Sequence, residues 1–173
     1  MTHTIAAKTR TLLAALLGVA ALTAAVPARA DHFIAMTRGT NFSGFGAAGV
    51  LVPLDLTGAT SSPAFFVAAG SRFIVSYTAE CANNAAGVGS WVDVDIRAIN
   101  TATGAVTVLP PTNSGGDAFC TSNNVAGYDG WAMSAVNAVA TNLPQGNYRI
   151  QVLARTVGGG LGWLGDSSLI VWR

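Results

Sequence analysis

After Asp31 the apolar side chains recur at every second position, and no segment sustains a helical period with caps. Arg72–Cys81 is the plainest alternation: Phe73, Val75, Tyr77, Ala79 and Cys81 share one face, and Arg72, Ile74, Ser76, Thr78 and Glu80 the other. Trp91–Ile99 repeats the pattern, with Val92, Val94 and Ile96 on one side and Trp91, Asp93, Asp95 and Arg97 on the other. Asn100–Gly104 reads as a hairpin loop into a strand over Ala105–Leu109, which Pro110-Pro111 ends because proline gives no N–H to a ladder. Shorter strands are expected over Val50–Leu56, Ala64–Ala68 and Ala118–Thr121, and longer ones over Trp131–Ala140, Asn147–Val157 and Ser167–Trp172. The alanines of Trp131–Ala140 also suit a helix, but the strand is the expectation. Between these runs stand turn residues, among them Leu143-Pro144-Gln145-Gly146 and the triple glycine 158–160. About eight strands with no helix predict an all-β antiparallel sandwich. Its core would draw on Phe73, Val75, Tyr77, Val92, Val94, Ile96, Tyr148, Ile150 and Val152.

The first 30 residues follow a different pattern. Lys8 and Arg10 precede the uncharged run Thr11–Val26, and Ala28-Arg29-Ala30 offers small residues where a signal peptidase reads. The run has 16 residues, short of the ~20 a membrane-crossing helix needs. A cleaved signal peptide at 1–30 and a single sandwich domain at 31–173 are expected, in a secreted or periplasmic protein with no membrane span after cleavage.

Cleavage changes the charge and sets the redox setting. Of the nine basic residues three leave, so the mature chain carries six arginines against eight acidic residues, a net charge of −2. A nucleic-acid partner is not expected, because phosphate binding needs a dense basic face. Cys81 and Cys120 are the only cysteines, and in an exported chain they are expected to form a disulfide. Closing that loop is worth roughly 4 kcal/mol.

The last part of the chain has a recognisable shape. The runs LPQGNYRIQVLARTV and GWLGDSSLIVWR resemble the end of jelly-roll sandwiches of the complement and tumour-necrosis-factor kind. The wider pattern AEC…WVDVDI…AFCTSN…LPQGNYRIQV…LGDSSLIVW looks like small exported bacterial β-sandwich proteins of unknown role. The resemblance covers about Arg72 to Arg173 and implies a jelly roll. By analogy of fold it implies a homo-oligomer, a trimer, and it carries over no functional residue.

Chemistry-bearing residues are sparse. His32 is the one mature histidine, placed at a terminus, so no catalytic residues are assigned and nucleophilic hydrolysis is not expected. Asp93 and Asp95 share a strand face, which suits acid–base work on a glycosidic bond, a calcium site completed by loop oxygens, or a solvated face on which Arg97 pairs with Asp95 and Trp91 covers a neighbouring hydrophobe; the last is expected. The 113–130 segment offers oxygen ligands. Asp117 and Asp129 are candidate calcium ligands, and Asn123 and Asn124 candidate ligand contacts. Apart from calcium, no cofactor is expected. Trp91, Trp131, Trp163 and Trp172 are weighed for stacking against a ligand, with Trp163 in a glycine-rich loop as first candidate and Trp91 as second. The 113–130 and 158–165 loops are expected to form a shallow binding rim. The leading expectation is an exported non-catalytic domain acting by surface binding, adhesion or assembly. Its partner would be a glycan or another envelope or extracellular protein. The alternatives are a carbohydrate-binding module and a carboxylate-only glycosidase.

Overall fold

The computed structural model describes residues 32–86, 89–114, 117–122 and 130–173. The expected leader lies outside the described residues. Among the described residues every regular element is a strand: β1 His32–Arg38, β2 Phe42–Phe45, β3 Val50–Leu51, β4 Phe65–Val67, β5 Phe73–Asn83, β6 Trp91–Asn100, β7 Val106–Val108, β8 Ala118–Thr121, β9 Ala132–Ala140, β10 Gly146–Val157 and β11 Gly162–Trp172. No described helix is long and apolar enough to cross a membrane.

The strands form two antiparallel sheets. The front sheet runs β1-β11-β5-β9, with β2 also against β11; the back sheet runs β3-β10-β6-β7, with β4 beside β10 and β8 beside β6. β2 continues the line of β1 along β11, because β1 pairs with Ser167–Trp172 and β2 with Gly162–Leu164. In the same way β3 and β4 share one side of β10, and β7 and β8 share one side of β6. Eleven strands therefore fill the about eight positions expected, three positions being broken in two. The β3–β4 break holds Pro53 and Pro63 and the β7–β8 break holds Pro110 and Pro111, residues that cannot continue a ladder.

Counted by position, the chain pairs with itself from its two ends inwards: β1 with β11, β3 and β4 with β10, β5 with β9, and β6 with β7 and β8. That nested pairing is a jelly roll. The inward faces of both sheets make one core, and all nine core positions expected from the sequence are buried in it. Cys81 on β5 and Cys120 on β8 join the two sheets by a disulfide, with their Cα atoms 6.0 Å apart.

Some boundaries differ from expectation. β1 and β2 lie in a stretch to which no strand was assigned, and His32 opens β1 in register with Trp172, so it belongs to a sheet and not to a loose terminus. Val50–Leu56 is a strand only at Val50–Leu51. Beyond it Asp55 accepts bonds from the N–H groups of Thr57 and Ala59 and folds the chain into a turn. These bonds, the one from Ala59 foremost, hold the Asp55 carboxyl below the usual carboxylate range. The last strand begins at Gly162, five residues before the expected Ser167.

Candidate functional site

The outer face of the back sheet carries the aspartate pair, and its state corrects the expectation of a solvated face. Asp93 is only 1% exposed and Asp95 7%. The register sets Arg155 of β10 directly opposite Asp93. Its guanidinium donates to Asp93 at 2.5 Å and to Asp95 at 3.2 Å, and Arg97 pairs with Asp95 as expected, at 3.7 Å. Burial pushes the Asp93 carboxyl above the usual carboxylate range, against the pull of Arg155. Both carboxylates are thus tied to one guanidinium. Trp91, at the head of the same strand, is half-buried, and its indole nitrogen is shut from solvent with no hydrogen-bond partner among the described residues.

The first tryptophan candidate is placed differently from expectation. Trp163 is not in a loop. It stands on β11 of the front sheet, between Ser43 of β2 and Ala82 of β5. Leu164 beside it points into the core, so Trp163 points outward. Trp91 points outward from the other sheet, so these two candidates do not share a site.

A different tryptophan joins Trp163. Ala132 pairs with Cys81, which sets Trp131 on the far side of Ala82 from Trp163. The two Cα atoms are about 10 Å apart, two inter-strand spacings. Trp131 is 40% exposed, while Ala82 between the indoles is 1% exposed although it faces outward. A second small residue completes the floor. A Cβ on Gly165 would lie 3.1 Å from Cζ3 of Trp131 and 2.7 Å from Oε2 of Glu80, so the indole lies across the sheet over that glycine. The result is an aromatic platform on the outer face of the sheet with a carboxylate at its side.

Polar groups extend from the platform along the same face. Glu80 pairs in register with Met133, and Met133 lines a shallow depression of about 360 Å³ together with Thr37, Arg38, Thr78, Asp166 and Ser168. The hydroxyls of Thr78 and Ser168 are 2.6 Å apart, and the Ser76 hydroxyl donates to Asn137 at 2.7 Å. The face thus combines two indoles, two carboxylates and rows of hydroxyls.

The expected loop rim is only partly described. Asn123, Asn124 and Asp129 lie outside the described residues. Asp117 accepts a hydrogen bond from Ser114 at 2.7 Å. Among the described residues no three His, Cys, Asp or Glu side chains gather as a metal site. Two stretches of the rim do meet at Ala85: its carbonyl accepts from Ser122, and its backbone nitrogen lies against Gly160.

No protein-family model matches the sequence. No curated protein matches it either. Among solved structures, the chain resembles one in the structure of infectious bursal disease virus Gt strain, with a TM-score of 0.46 and 16% identity over 84% of this chain and 33% of that one. The Gx strain gives a TM-score of 0.46 and 16% identity over 84% and 32%. The VP2 subviral particle of the same virus gives 0.43 and 16% over 84% and 32%. This chain spans about a third of the length of those solved chains.

Proposed function

We propose that the protein is an exported, non-catalytic β-sandwich domain that binds glycan on the outer face of its front sheet. The observation that carries the reading is the pair Trp131 and Trp163, set on either side of the covered Ala82. A pyranose ring has an apolar face and a polar rim. An indole held flat over small residues matches the face, and Glu80, Asp166 and the Ser–Thr rows match the rim. The leader pattern and the Cys81–Cys120 bond support export. The tying of Asp93 and Asp95 to Arg155 supports a non-catalytic role.

The test is binding of soluble β-glucan, xylan and mannan, followed by tryptophan fluorescence and by a glycan array. Trp131→Ala and Trp163→Ala should each abolish the signal, and Trp91→Ala, on the opposite face, should leave it intact. Equal loss in all three variants, or no response across the panel, refutes the reading. Turnover of chromogenic glycosides that disappears in Asp93→Asn would overturn the non-catalytic part.

A further inference from the structure

Sheet edges need management, because their outer N–H and C=O groups invite another strand. In this fold most edges are blunted by brevity: β3, β4, β7 and β8 run for only two to four residues each. The outer edge of the front sheet at β1 and β2 is interrupted at Gly39–Asn41 and carries Arg38. β9 is different. It has nine residues, AMSAVNAVA, with no charge, no proline and no bulge against β5.

The direction of its free groups follows from one hydrogen bond. The N–H of Val139 donates to the carbonyl of Pro110, so the backbone of Val139 points away from β5. In an antiparallel ladder that direction recurs at every second residue. Met133, Ala135 and Asn137 therefore point their N–H and C=O groups outward too, and among the described residues no backbone group bonds to them from that side. Pro110 closes one end of the edge, and among the described residues no backbone bond occupies it around Ala135.

We propose that this edge pairs with its own copy in a second chain, antiparallel about a two-fold axis at Ala135. The register is self-complementary. Ala135 faces Ala135, Met133 of each copy faces Asn137 of the other, and about six backbone hydrogen bonds form. No like charges meet, because β9 carries none. Met133, 67% exposed in the single chain, gains a neighbour. A crevice of about 90 Å³ lined by Phe119, Ala135 and Val136 opens beside the edge and leaves room for side chains from the second copy.

Self-pairing joins the two front sheets into one, with both outer faces on the same side. Trp131 enters β9, so the two aromatic platforms come to lie on one continuous surface. The two Trp131 residues would be about 27 Å apart along the strand direction. The inference deepens the glycan reading by making binding bivalent, but the pairing itself rests on the β9 edge alone.

The test is molar mass by sedimentation or light scattering over a concentration series reaching the hundred-micromolar range, since an interface this small is expected to be weak. The parent should move from monomer to dimer. Ala135→Pro should stay monomeric yet folded by circular dichroism, because the N–H it removes points away from β5. Ala135→Lys and Ala135→Glu should each be monomeric, since the two-fold sets position 135 opposite itself, and an equimolar mixture of the two should dimerise. A monomeric parent, a trimer, a dimer that survives Ala135→Lys, or a mixture that stays monomeric overturns the proposal. The two readings fail separately: a dimer that binds no glycan sinks the platform and leaves the pairing. On immobilised glycan the parent should dissociate at least about tenfold more slowly than Ala135→Pro, with equal affinity for a soluble oligosaccharide.

Discussion

Replacing Arg155 with methionine keeps the apolar stem and removes the charge that holds Asp93. The Asp93 side chain is 1% exposed and that of Arg155 28%, so the loss falls on a carboxylate that water does not reach. Breaking a buried pair from one side costs about 3 to 5 kcal/mol. The lower end applies here, because Asp95 retains Arg97 at 3.7 Å and Asp93 can take up a proton. The expected loss at neutral pH is about 3 kcal/mol, roughly 10 °C in Tm for a domain of this size. The sign of the pH dependence follows from burial. Asp93 is raised above its ordinary value in the folded parent. Its contribution to stability is therefore full below the unfolded-state pKa and is lost as pH rises through the folded one. Arg155 is the chief influence holding that value down, so the variant's Asp93 rises further. The deficit of the variant should be greatest at neutral pH and shrink as pH falls towards about 4. Urea unfolding of both proteins across this range measures it. A deficit under about 1 kcal/mol at neutral pH, the size of an exposed pair, or one that does not change with pH, refutes the claim that Asp93 is sealed.

Two further outcomes are expected. Reducing the Cys81–Cys120 bond, or replacing both cysteines with serine, should cost about 4 kcal/mol in urea unfolding; a loss near zero would mean the two sheets need no staple. Gly165→Ala should lower Tm modestly, by the equivalent of about 1 kcal/mol, and weaken glycan binding less than Trp131→Ala does, because the new methyl displaces the Glu80 carboxylate 2.7 Å away and presses on the edge of the Trp131 indole at 3.1 Å. Undiminished binding would detach Trp131 from Gly165.

The sheets were legible where alternation is long. β5 and β6 show a period of two over ten residues or so, and every inward residue assigned there is buried. What alternation cannot tell is whether an outward face is wet. Asp93 faces outward as read, yet it is sealed by Arg155, 62 residues further on; that pairing depends on the β6–β10 register, which no local pattern encodes. The platform was hidden for the same reason. Trp131 and Trp163 become neighbours only because both flank Ala82. The triple glycine 158–160 also drew the reading of a loop too far along the chain. Only three residues, Gly162 to Leu164, precede the bulge at Leu164–Ser167, too few to display a period.

The nested wiring also governs when the chain can fold. β11, the final strand, is not at an edge but lies between β1 and β5 in the middle of the front sheet. Until it arrives, β1 has no ladder to join and β5 lacks a neighbour on one side. Most contacts therefore close over long sequence separations, the wiring that makes all-β domains slow to fold. A nascent chain of this kind cannot complete its front sheet until β11 has been made.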